Sequence, residues 1–273
     1  MPARNWIDSK DSGTTMRVKI VAATIALGAL VSGAPPFTTA NYAASHAHTS
    51  SPRKADVDPK ARELLTQMTQ AYQSLHSYAA SVEIVAGAGV AMNKSNSKVS
   101  YKKPNLAVIF TQSPSGTFKT IADGKAIYIT KPGDKKEYER MPTKDMGGVI
   151  AMAIRSGGAS ATGLFPFVAA GSDPFLMLSR NLKSLTVLKS DTVAGIPVDV
   201  VQAVETAPGL QDATMTIAIG HSDRLIRRVG FLSGDGNAIV ETMTDVRVDP
   251  ALPANLFHFS PPAGAKSIPI APS

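Results

Sequence analysis

Cysteine is absent from the 273 residues. Its absence excludes disulfides, thiolate metal sites, a cysteine nucleophile and a lipidated N-terminal cysteine. Charged residues are scarce at 18%, too few for a wholly disordered chain, whereas 44% hydrophobic residues suffice for a sizeable core. No apolar run approaches the ~18 residues that a membrane-spanning helix needs. Basic patches interleaved with aromatics are also missing. The net charge of +7 is spread along the chain, which argues against nucleic acid as a partner and leaves room for weak attraction to an anionic membrane surface.

Motifs of chemistry are equally scarce. The sequence holds no G-x-S-x-G elbow, no P-loop and no G-x-G-x-x-G. Its five histidines are His46, His48, His76, His221 and His258. None has a partner at metal-ligand spacing beyond the His46/His48 pair. His76 closes a helix, where a cation suits the dipole, and His221 stands beside Asp223 in a turn. The carboxylates are dispersed, so no acid–base pair can be nominated. The expectation is therefore a binding protein with no catalytic residues, no metal and no cofactor, not an enzyme.

What is present begins with a leader. Residues 20–31 (IVAATIALGALV) are apolar and follow Arg17 and Lys19. A basic flank, a short apolar run and then small residues form a secretory signal. Either Met1 or Met16 serves as the start. Cleavage fits best after Thr38-Thr39-Ala40 or Ser45-His46-Ala47, the alternative being an uncleaved anchor. The expected organisation is a signal peptide and leader over 1–47, a linker over 48–57, one domain over 58–266 and a tail over 267–273. The mature protein is expected in the periplasm.

Asp58-Pro59 opens a helix, with an N-cap followed by proline at the first helical position. Ala61, Leu64, Leu65, Met68, Ala71, Tyr72 and Leu75 then form one apolar stripe. After Ser77 the period changes to two. Strands are expected over 78–85, 98–101, 105–111, 118–122, 126–130 and 136–140, and again over 185–193, 197–205, 214–220, 225–231 and 238–248. Asp123-Gly124 is the sharpest hairpin signal. Between the two strand groups, residues 146–154 form a short apolar helix. A glycine- and alanine-rich stretch with Phe165 and Phe167 follows, and Asp173-Pro174 opens a second helix through Phe175, Leu176, Leu178 and Leu182. The fold class is α+β: an open antiparallel β half-barrel of about 10–11 strands with helices covering the concave face.

Several stretches in order resemble the LolA-like periplasmic lipoprotein-carrier superfamily, and within it the DUF2092 family of predicted periplasmic proteins. They are Asp58-Pro59-Lys60-Ala61 through Leu75-His76-Ser77-Tyr78, Lys102-Lys103-Pro104-Asn105-Leu106, Ala122-Asp123-Gly124 with Ile127-Tyr128, and Gly195-Ile196-Pro197-Val198. The last is Thr244-Asp245-Val246 with Leu252-Pro253, Leu256-Phe257-His258-Phe259 and Pro261-Pro262. The resemblance implies a cavity that accepts acyl chains under a mobile lid, and a basic latch before the Pro-Asn pair. That latch is Lys103, where the carriers typically have arginine.

Within the cavity that the resemblance implies, the candidate wall residues are Val82, Ile84, Val108, Phe110, Ile127 and Ile129, the alternative being an ordinary core between helices and sheet. The greasy insertion supplies the lid: Met146, Val149, Ile150, Ile154, Leu164, Phe165, Phe167 and Phe175. The implied partner is a hydrophobic ligand, an acyl chain or lipid, with membrane contact transient at most. A sensor or scaffold that binds an envelope protein on the same fold is the alternative.

Overall fold

The computed structural model describes residues 55–89, 91–131, 133–134, 136–142, 182–206 and 212–269. Its one α-helix among these, α1 (Pro59–Ser74), starts where the sequence places it. Asp58 is extended, and its Oδ1 accepts the Lys60 N–H at 2.8 Å. That bond satisfies one of the orphan donors of the first turn. The apolar stripe is buried through Ala61, Leu64, Leu65, Met68 and Tyr72.

Fourteen strands make one open, curled sheet, more than the 10–11 expected. They are β1 (Asp56–Val57), β2 (Ser77–Ala88), β3 (Ala91–Lys102), β4 (Leu106–Ser113), β5 (Gly116–Asp123), β6 (Ala126–Thr130) and β7 (Glu137–Pro142). The second group is β8 (Leu182–Val187), β9 (Asp191–Val193), β10 (Ile196–Glu205), β11 (Ala213–Gly220), β12 (Ile226–Leu232), β13 (Asn237–Val248) and β14 (Lys266–Pro269). The order across the sheet is β1-β8-β10-β11-β12-β13-β2-β3-β4-β5-β6-β7-β14, and β9 pairs with β10 beside this path. Neighbours are antiparallel except at the two ends, where β1 runs parallel to β8 and β14 parallel to β7. Short hairpins join several antiparallel neighbours, among them β2/β3, β4/β5 and β5/β6, whereas β13 and β2 pair although far apart in the sequence. One of the tight turns is Asp123-Gly124-Lys125 between β5 and β6. Gly124 has φ +87°, and a Cβ there would come within 3.1 Å of Asn105 Oδ1, so glycine is required on both counts.

Leu182, expected to close a second helix, instead begins β8. The expected strand over 185–193 divides into β8 and β9. Ser267, Ile268 and Pro269, expected in the tail, belong to β14. The expected leader and the apolar helix over 146–154 lie outside the described residues.

The core lies on the face that α1 covers. Strand alternation sends Tyr78, Ala80, Val82 and Ile84 of β2 to this face, with Val99 and Tyr101 of β3, Ile109 of β4, Ile127 and Ile129 of β6, and Ile217 and Ile219 of β11. The helix packs against β8 and β10. Tyr72 reaches further: its hydroxyl accepts the backbone N–H of Ile226 at 3.2 Å, and its ring meets Tyr78 at 5.8 Å. On the opposite face, Val108, Ile121 and Phe257 form a smaller cluster with Leu252, Leu256 and Phe259. There the chain after β13 passes over β4 and β5 through a short 3-10 helix (Ala254–Phe257) before joining β7 as β14.

Candidate functional site

The helix-bearing face is built from cross-strand rows. One row runs Val187–Val201–Ile217–Val229–Glu241–Ile84 across β8, β10, β11, β12, β13 and β2. The next runs Leu185–Ala203–Met215–Phe231–Ile239–Ala86 across the same strands. On the other half, Tyr78–Tyr101–Ala107–Ala122–Ile127–Met141 cross from β2 to β7. Adjacent side chains in such rows are near neighbours, so the second and third rows are continuous apolar strips and the first is interrupted at Glu241.

The six expected wall residues divide between the faces. Val82, Ile84, Ile127 and Ile129 are buried together on the helix-bearing face. Val108 and Phe110 are corrected to the opposite face. Val108 packs with Ile121 and Phe257, and Phe110 is half-buried in a groove there. The run Ala107-Val108-Ile109-Phe110 is apolar on both parities, so only the register fixes which pair points inward. It does so by setting Ile109 against Val99. The lid residues Met146, Val149, Ile150, Ile154, Leu164, Phe165, Phe167 and Phe175 lie outside the described residues.

The latch position has a clear partner. Lys103 Nζ donates to the backbone carbonyl of Gln73 in the last turn of α1. A cation suits the negative end of the helix dipole. Around it, the motifs singled out in the sequence meet at one rim of the sheet. Lys103 N donates to His76 O at 2.9 Å, and Asn105 Nδ2 donates to Gly124 O at 3.2 Å. Asp249 Oδ1 accepts the backbone N–H groups of His76 and Ser77 at 2.7 and 2.9 Å. Those two donors, Ser77 foremost, hold the Asp249 carboxyl below its usual range. The rim thus ties the end of α1 to β2, β3, β5 and the segment after β13.

Two buried ionisable groups on the sheet are absent from the sequence reading. Arg227, at the start of β12, is held by Asp223 Oδ2 and by the carbonyls of Leu225 and Ile226. Glu241 of β13 is only 1% exposed, and neither side-chain oxygen has a hydrogen-bond partner. It lies in register between Val229 and Ile84. Burial alone pushes its carboxyl up to about 8, since desolvation penalises the charged form. The spacing Ile239, Glu241, Met243 was the available signal: a carboxylate at an inward position of a period-two strand.

The groove on the opposite face has a volume of about 450 Å³ and is lined by Ser81, Glu83, Asn96, Lys98, Phe110, Gln112, Thr242 and Thr244, with Val82 and Ser97 at its floor. Elsewhere, Asp199 accepts from Arg224 Nη1 at 2.8 Å and lies 3.1 Å from His221 Nε2, a partly exposed ion-pair cluster. Among the described residues no group of histidines and carboxylates is placed to hold a metal ion. No helix among them is long and apolar enough to cross a membrane.

The model of a family of predicted periplasmic proteins (DUF2092) matches residues 61–271. No curated protein matches the sequence significantly. Among solved structures, similarity extends to the lipoprotein LppX of Mycobacterium tuberculosis, at 14% identity over 72% of this chain and 99% of that one, with a TM-score of 0.46. A LolA superfamily protein of Nitrosomonas europaea shares 12% identity over 73% of this chain and 97% of its own, with a TM-score of 0.36. In the Pseudomonas aeruginosa MucA/MucB complex, the matched chain shares 13% identity over 78% of this chain and 64% of its own, with a TM-score of 0.44.

Proposed function

This chain belongs to the DUF2092 family of predicted periplasmic proteins, and we propose that it is a non-catalytic carrier that holds a lipid or a lipoprotein acyl chain against the helix-bearing face of its sheet. One observation carries the reading: the apolar face is wider than the helix that lies on it. The 16 residues of α1 measure ~24 Å at a rise of ~1.5 Å each. Thirteen strands in line at ~4.8 Å spacing measure roughly 58 Å. The helix packs on β8 and β10 and its Tyr72 reaches β12, whereas inward apolar residues continue through Ile109, Ile127 and Ile129 on β4 and β6. A chain of methylenes suits such a face, each contributing ~0.8 kcal/mol on leaving water. Release requires only that the covering elements move aside.

The partner-binding reading draws on a different surface. The groove around Phe110 is open and mixes polar side chains with an aromatic ring on the face away from α1, as a docking site for an envelope protein would.

Lipid extraction tests the first reading. Protein recovered from the periplasm should release lipid in near-equimolar amount, identified by mass spectrometry. After delipidation it should bind a fluorescent long-chain fatty acid saturably. Recovery without lipid, together with no saturable binding of the probe, would end the carrier reading. A lipid-free complex with another protein, dissolved by Phe110→Asp, would establish the second.

A further inference from the structure

An unpartnered carboxyl inside an apolar row is costly. Leaving a buried polar group unsatisfied is worth ~1–3 kcal/mol against the fold. Glu241 is that group: 1% exposed, both oxygens unpaired, with Val229 and Ile84 on either side in register. Ile239 and Met243 flank it along β13, and both pack with the main core. Arg227 of β12 is paired through Nη2 with Asp223, and its buried Nε has no hydrogen-bond partner. The fold gains nothing from a glutamate here that leucine or methionine would not supply better.

We infer that Glu241 is a polar anchor for a ligand on this face, and that the ligand is a long-chain amphiphile carrying an uncharged hydrogen-bonding group: an ester, an amide or a hydroxyl. The inference rests on the carrier reading and narrows it. A neutral carboxyl both donates and accepts, so it satisfies a hydroxyl or an acyl carbonyl without burying net charge. An ammonium head fits worse, because it brings three N–H donors to a strip that offers one acceptor group. A phosphate or free carboxylate would bring a net charge that the apolar row would have to bury, and would repel the ionised form of Glu241. The apolar rows on both sides receive the chain, and Glu241 fixes how deep it slides.

Three pyrene-tagged chains of equal length, ending in methyl, hydroxyl or ammonium, separate these cases. Each is titrated by fluorescence into delipidated wild type, Glu241→Gln and Glu241→Leu. Wild type should bind the hydroxyl chain about tenfold tighter than the methyl chain, the worth of one buried hydrogen bond. Glu241→Gln should keep most of that preference, because an amide also donates and accepts. Glu241→Leu should lose it while binding the methyl chain as wild type does. Infrared spectroscopy gives a second readout that needs no folded leucine variant. The carboxyl band missing in Glu241→Gln should shift when the hydroxyl chain binds to wild type and stay fixed with the methyl chain.

A preference that survives Glu241→Leu, or an unmoved band, overturns the anchor. So does tighter binding of the ammonium chain. Equal binding of methyl and hydroxyl chains by wild type removes the anchor and leaves the carrier standing. No binding of any chain removes both.

Discussion

The two faces of this sheet obey opposite rules. The helix-bearing face is a field of apolar rows broken by one unpaired carboxyl, Glu241. The opposite face satisfies its polar groups: Glu83 pairs with Lys94 at 2.5 Å, and Ser, Thr, Asn and Gln side chains line the groove. Its apolar cluster under Phe257 is small and covered by the chain's own C-terminal segment. One face is therefore fitted to oil and the other to water, and a single strand such as β2 serves both by alternation. The lesson is that a polar residue means different things on the two faces. On the outer face it is solvation, and on the inner one it demands a reason.

The pH dependence of stability breaks or confirms this contrast most strongly. Burial raises the Glu241 carboxyl to about 8 in the folded protein, against 4.5 for a carboxyl exposed to water. A raised folded pKa means that the native state binds the extra proton. Its contribution is fully present below 4.5 and is lost as pH rises to 8. Urea unfolding of wild type should lose on the order of 4 kcal/mol between those limits, and Glu241→Gln should remove most of that slope. A slope unchanged by the substitution would mean that the carboxyl is not buried.

Truncation comes next. Leu65→Ala removes a fully buried α1 side chain and should cost ~3 kcal/mol in urea. If it costs under ~1 kcal/mol, the helix does not pack on the sheet as described. Smaller still is the rim. Lys103→Met should cost ~1 kcal/mol by freeing the Gln73 carbonyl, and Lys103→Arg should restore most of it. Hydrogen exchange at the end of α1 would report both. Phe110→Asp should have the least effect, within ~0.5 kcal/mol, and should leave binding of a fluorescent fatty acid unchanged. Loss of that binding would place the ligand on the wrong face.

Much of the fold was legible because local signals agreed with it. Asp58-Pro59 fixed the start of α1, the alternation after Ser77 marked β2, and Asp123-Gly124 marked a hairpin whose glycine has the required positive φ. The first half of β3 was not legible. Ala91 to Ser97 is polar and short of β-branched residues, and it is extended because β2 pairs with β3 residue by residue along its whole length. The terminal strands β1 and β14 are two and four residues long and carry no period at all. For the site, Lys103 reaches the Gln73 carbonyl at the end of α1, whereas the lid it was expected to latch lies outside the described residues. Val108 and Phe110 were misplaced because four apolar residues in a row hide the parity. Glu241 stands at the spacing of Ile239 and Met243, but the apolar Val240 leaves the parity open until the pairing with β2 sets it.

The two short parallel strands at the ends of the sheet bear on how the protein survives at high concentration. A long open edge invites a second molecule to add its own backbone, the route to fibres and swapped dimers. Here the last strand on one side offers the backbone of two residues and on the other of four, ending in proline, which donates nothing. Removing residues 266–269 would bare the four residues of β7 from Glu137 to Arg140 and turn a blunt border into a sticky one.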